Sequence, residues 1–508
     1  SAQAVTTTSL DQGGPGATTP LVPGGTVGGG VVLSVAADAI VELDPAAATS
    51  TGDILVLHQI YDWLVEEDGG GGLRPGLAES WERSSPTAWT FTLRPNVIFQ
   101  DGDPFEAEDV VHTFERLRLL ADSTGLHSSL ADYAVIESVI AIDEGTVRFV
   151  LGRPDSDFLA LLARDAAAIL SDGTRDPSTE WVGTGPFVLW SYRAGEGAVL
   201  RRNPAYWARD AGGRQLPYVD GLNVVFKSDP ETRLAELVAG RVQFVGGLDL
   251  ADIRLVDATP GLTTLRTPSN EHLSIYIESG PGRVGEDVRV RRALKLGTDR
   301  AALAEAVRPS LSTPGNDSPV GPFYGERHLD EVPEYNPEAA GLLLTEAGIV
   351  DGLKLVLDVP DDPEAAALAQ AWAAQMEMIG VTVEIRDATS GAGGGVDGAT
   401  ADARIARSIS APSPFDSLVH AYAVGVDSAA GIWVDADFEA LVAQLAAETD
   451  EILQVDLYHQ IQQVLIERGP AVVPFYETVV AGAGKTLLGV SVAPYWPRTS
   501  FRTASFGS

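Results

Sequence analysis

Residues 73–117 read LRPGLAESWERSSPTAWTFTLRPNVIFQDGDPFEAEDVVHTFERL, and three kinds of local order follow one another within them. Trp89, Phe91 and Leu93 alternate with Thr90, Thr92 and Arg94, the two-residue period of a half-buried strand. Gln100-Asp101-Gly102-Asp103-Pro104 is made of turn-forming residues. Over residues 106–120, Val110, Phe114 and Leu117, with Val111 beside them, recur at helical spacing. Acidic residues crowd the first turn of that helix, where the backbone dipole favours them. Trp81, Trp89, Phe91, Phe99, Phe105 and Phe114 each bring roughly 150–250 Å² of surface to bury, which predicts a core rather than a ligand box.

Toward the N-terminus, residues 31–36 (VVLSVA) form an apolar run suited to a buried strand, and DAIVELDP at 38–45 ends it in a turn-favouring Asp-Pro. Residues 1–27 are a Thr/Pro/Gly/Ala tract without hydrophobic period and are expected to be a flexible tether, as in the stalk of a processed lipoprotein. Toward the C-terminus, 353–359 (LKLVLDV) predicts a strand, 363–379 an Ala-rich helix ended by Gly380, and 381–385 (VTVEI) a second strand. That βαβ unit implies parallel pairing and a mixed α/β lobe. Asn336-Pro337-Glu338 caps a preceding helix, two late helices fall near 437–447 and 451–468, and a buried run covers 471–476.

The chain of 508 residues, 45% apolar, is too long for one core and is expected to divide into two or three lobes. Its 71 acidic residues against 35 basic ones give a net charge of −36, a field that repels nucleic acid. Cysteine is absent, and the seven histidines show no metal-ligand spacing, so neither a thiolate nucleophile nor a metal centre nor any other cofactor is expected. No run approaches the ~20 apolar residues that cross a bilayer. Gly482-Ala483-Gly484-Lys485-Thr486 imitates the end of a phosphate-binding loop, but Val479 stands where that pattern requires glycine, so a surface turn is expected. Gly489-Val490-Ser491-Val492-Ala493 lacks the GxSxG pattern, and acidic pairs such as Asp101 with Asp103 read as turn and cap residues. No catalytic residue is assigned, and a secreted hydrolase has no motif in its favour.

In this order the motifs resemble the peptide, nickel and opine class of bacterial solute-binding proteins, the family 5 extracellular components of ABC importers. The resemblance begins at VVLSVAADAIVELDP and runs through the stretch 73–117. It continues with VGTGPFVLWSY (182–192), RNPAYW (202–207), LPYVDGL (216–222) and EDVRVRRALKLGTDRAAL (286–303), and ends with FEALVAQLAAETD (438–450) and RGPAVVPFY (468–476). The resemblance implies an α/β, two-lobed periplasmic-binding-protein fold of type II, of the large class with an extra inserted domain, and a hinge of two crossing strands. Residues 28–56, 182–269 and 475–508 would form lobe I, 57–181 the extra domain attached to it, and 270–474 lobe II.

It also implies binding without chemistry: a monomer, periplasmic or on the cell surface, that closes on a small-molecule ligand and docks onto the ABC permease subunits. A cell-surface solute receptor or interaction protein without transport coupling is the alternative. Family analogy points for ligand contact to residues 38–44, 271–276, the loop at 315–317 and 408–433, and within them to His272, Asn316, Asp416, Tyr422, Asp427 and Trp433. Peptide-binding members place a carboxylate in the second-lobe loop to pair with the ligand's ammonium, where this chain has Ser408. Peptide, modified amino acid, opine, saccharide and metal chelate all stay open as ligands.

Overall fold

The computed structural model describes residues 31–121, 128–388, 401–422 and 433–507, so the tether at 1–27 and Asp427 lie outside the described residues. The strand Val32–Ala37 is buried along its length apart from its first residue. It lies in the middle of a sheet, parallel to Gly221–Phe226 on one side and to Phe244–Val245 on the other. Outward from it the order is Phe244–Val245, Phe475–Gly484 and Leu262–Pro268 on one flank, and Gly221–Phe226, Gly197–Arg202 and Phe187–Arg193 on the other. A strand with neighbours on both sides and helices over its faces reads as a continuous apolar run, as VVLSVA does.

The second sheet runs Val381–Asp387, Leu353–Val359, Ala403–Ser408, His272–Ile277, Ala471–Val472. Its first two strands are parallel, and the helix that joins them, Pro363–Glu377, buries Trp372 completely. Gly380 takes φ 80° just past that helix, the left-handed step that lets the chain turn back into a strand. A third sheet, four antiparallel strands in the order Ala78–Ser85, Ala88–Leu93, Thr146–Leu151, Ile136–Asp143, falls within the stretch 57–181 expected to form the extra domain. The helix Ala107–Ala121 lays Val110, Phe114 and Leu117 against it. Phe149 is the centre of this core, with the rings of Phe91, Phe114 and Phe158 edge-on at 5.4, 5.0 and 5.2 Å.

The chain passes from the first sheet to the second between Leu262–Pro268 and His272–Ile277, and returns between Ala471–Val472 and Phe475–Gly484. The two crossings are hydrogen-bonded to each other: Ser269 N donates to Glu477 O at 3.1 Å, and Glu477 N donates to Glu271 O at 2.7 Å. The short strand Ser312–Pro314 adds to the same edge, and at Gly315 a Cβ would meet Val473 O at 2.1 Å, so only glycine lets this loop lie against the crossing strand. Gly482 sits inside the strand Phe475–Gly484, while Lys485 and Thr486 are exposed in the turn that follows, which leads into the short strand Leu487–Leu488 and not into a helix that could hold a phosphate.

Candidate ligand-binding cleft

The loop after the strand Val32–Ala37 is fixed by the helix that follows it, Thr51–Ile60. Ser50 and Asp53 cap that helix reciprocally, and the buried Asp53 carboxylate also accepts from Val41 N at 2.6 Å and Glu42 N at 3.1 Å. Asp44, at the end of the loop, is ion-paired with Arg116 of the helix Ala107–Ala121. This places Pro45, Ala46 and Ala48 on one wall of a cavity of about 440 Å³. Residues 130–165 contribute Leu130, Tyr133, Arg164 and Asp165 to it, the second sheet and the segment after it contribute Tyr276, Arg407 to Pro412 and Asp416, and the C-terminal residues contribute Arg498. Segments remote from one another in sequence therefore meet in this one space.

Its charges are paired. Arg498 grips Asp165 through two bonds, at 2.9 and 3.0 Å, and reaches Glu67 at 2.6 Å, while His58 Nε2 lies 2.9 Å from the same Asp165. Burial alone would raise the Asp165 carboxyl, but Arg498 and His58 hold it well below the usual carboxylate range. Arg407 donates to Glu477 at 2.7 Å, Glu364 at 2.9 Å and Asp362 at 3.0 Å. Arg164 donates to Asp132 at 2.6 Å and holds Asp416 in a two-pronged pair that bridges the inserted segment and the second lobe. Hydroxyls of Ser408, Ser410 and Ser417 complete the polar lining, with Ser410 Oγ accepting from Asn270 N at 2.7 Å.

Of the six residues singled out from sequence, the structure brings Asp416 to this wall. His272 is fully buried, its Nδ1 is 2.7 Å from Asn270 O, and burial lowers its pKa to about 4, which keeps it neutral. Asn316 faces inward: Nδ2 donates to Leu329 O at 2.9 Å and Gln462 Oε1 at 3.2 Å, and Oδ1 accepts from Tyr476 OH at 2.6 Å. Tyr422 and Trp433 stack edgewise at 5.9 Å and pack on Phe438 in the second lobe's core. These four side chains pack and bond within the interior rather than in the cleft, with His272 Nε2 left without a partner among the described residues. Asp427 lies outside the described residues.

Arg164, Asp165, Arg407 and Arg498 escaped the sequence reading. A signal was present for the first two, since Arg164-Asp165 interrupts an otherwise apolar run, FLALLARDAAAIL at 158–170, and charges so placed must find partners. Nothing local marks Arg407 or Arg498, whose partners are remote in sequence.

Over residues 72–426 the chain matches the family described as bacterial extracellular solute-binding proteins, family 5 Middle. It is 28% identical to the dipeptide-binding protein of Escherichia coli (strain K12) over 475 residues, which is 86% of this chain and 87% of that protein. Among solved structures, HbpA2 from Haemophilus parasuis superposes with a TM-score of 0.80 at 24% identity, over 94% of this chain and 100% of that one. The binding protein AgaA of A. tumefaciens R10, solved with agropinic acid, gives 0.74 at 21% identity, over 95% and 99%. The fold is thus the two-lobed, type II arrangement, and a family of binding proteins, not enzymes, accounts for a cleft walled by paired charges and hydroxyls. The chain belongs to family 5 of the bacterial extracellular solute-binding proteins.

Proposed function

We propose that the protein, the extracytoplasmic substrate-binding component of an ABC importer, encloses a small polar solute in the 440 Å³ cavity between its lobes. The observation that carries this reading is the composition of the walls: a solute there touches lobe I, the inserted segment, the second lobe and the tail together, so it binds the closed form better than the open one and shifts the population toward closure. The volume suits a solute of dipeptide or opine size. The protein works as a monomer.

The ligand is not a free oligopeptide held by its N-terminal amine. Ser408 is paired with His272 in the sheet and offers a hydroxyl but no charge. Among the described residues, the two carboxylates that line the cavity, Asp165 and Asp416, are each bound by a guanidinium. An enclosed ammonium costs several kcal/mol unless a carboxylate is free to meet it, so a peptide terminus has first to break an ion pair. Calorimetry with di- to pentapeptides and their N-acetylated forms tests this. Neither set is expected to bind tightly; tight binding of the free peptides that acetylation removes would show an amine site and overturn the reading.

A further inference from the structure

The helices Pro414–Tyr422 and Ala436–Ala447 turn an apolar surface made of Phe415, Val419, Phe438 and Val442 toward the inserted segment. Several contacts join the two sides: Ser156 N donates to Ala446 O at 2.9 Å, Arg164 binds Asp416, and Asp157 is hydrogen-bonded to Ser413. They leave a second cavity of about 430 Å³, with Arg164 and Asp416 as the partition between it and the main cleft.

The lining of this second cavity is unbalanced in charge. Five carboxylates, of Asp132, Asp155, Asp157, Asp416 and Glu439, face two guanidiniums, of Arg153 and Arg164. Asp132 and Asp416 are already paired with Arg164, and Asp157 bonds the Ser413 hydroxyl, so that Arg153 is the guanidinium of this lining that faces Asp155, Asp157 and Glu439. Burial, and then the nearby Asp416, hold Asp157 well above the usual carboxylate range, and burial raises Asp155. A cation entering here relieves the carboxylates of one another, and the apolar floor asks for a hydrocarbon stem behind that cation.

We infer that this chamber is a second binding site, for an aliphatic amine whose stem lies on Phe415, Val419 and Val442 and whose cation meets Asp155, Asp157 and Glu439. The inference stands apart from the solute of the main cleft, and its test uses none. Calorimetry on the full chain compares n-hexylamine, hexanoate and hexan-1-ol at constant ionic strength. Hexylamine is expected to bind and hexanoate not, with hexanol at least several-fold weaker than the amine. Val442→Trp fills the chamber and is expected to abolish amine binding. Glu439→Gln at an exposed position combined with the isosteric Asp155→Asn keeps the shape of the lining and is expected to weaken amine binding about fivefold. Equal binding of hexanoate, amine binding that survives Val442→Trp, or an affinity unchanged by the charge variant overturns the proposal. Adherence of the amine to the acidic surface at large gives the second of these results.

Discussion

Arg164 ties residues far apart in the chain together, because its guanidinium holds Asp416 from one side and Asp132 from the other. Arg164→Ala is expected to cost the closed form about 2 kcal/mol, the worth of charge-assisted bonds in a partly buried site. Spin labels on the two lobes would report a longer mean separation, and the exchange Arg164→Asp with Asp416→Arg would recover part of it. A buried pair behaves differently. Arg300 and Asp317 are 1% and 0% exposed, joined at 2.5 Å, and Asp317 also accepts from Val473 N at 3.1 Å beside the hinge. Asp317→Ala strands the guanidinium and is expected to lower stability by about 3–5 kcal/mol in urea unfolding. At this scale the sequence is least informative. Asp416 and Asn316 are both polar residues in loop-rich stretches, yet one faces the cleft and the other the interior. What separates them is a set of partners, Arg164 for one and Gln462 with Tyr476 for the other, that lie far along the chain.

The elements were legible because their causes are local. The predicted strands at 353–359 and 381–385 and the helix between them appear as Leu353–Val359, Val381–Asp387 and Pro363–Glu377, where apolar period, N-cap and terminal glycine agree. The helix drawn at 106–120 is Ala107–Ala121, with Val110, Phe114 and Leu117 buried as spaced. What no periodicity carries is which element faces another lobe: the apolar run 158–170 announces burial, not that its Arg164 closes against a helix some 250 residues on, at Asp416, while Asp165 meets Arg498. Trp372 shows how far one element depends on a single side chain. It is fully buried, and its Nε1 donates to Thr298 Oγ1 at 2.9 Å, tying the crossover helix to the chain after another. Trp372→Ala is expected to cost about 3–5 kcal/mol, read as a lowered denaturant midpoint for the second lobe.

At the scale of the whole molecule, a charged junction lies at the crossing between the two sheets. Burial, and then the Glu477 carboxylate, push Glu271 at the hinge up to about 8, against the opposing pull of Arg407 and Arg308, while Glu364 adds to the push. The folded state therefore favours the protonated acid. The stability it contributes is whole below the ordinary value of 4.5 and is lost as pH rises to about 8. Glu271→Gln is expected to melt like the parent at pH near 4 and above it at pH near 9, with a flatter Tm profile between. The paired crossings have a further consequence. Because Ser269, Glu271 and Glu477 are bonded across the two strands, the strands twist as one ribbon, and opening reduces to a single rotation. The sequence holds no cysteine, so one thiol placed in each lobe would take a donor and an acceptor fluorophore with no competing label. The molecule then becomes an optical gauge, whose colour ratio reports the concentration of any solute that closes it.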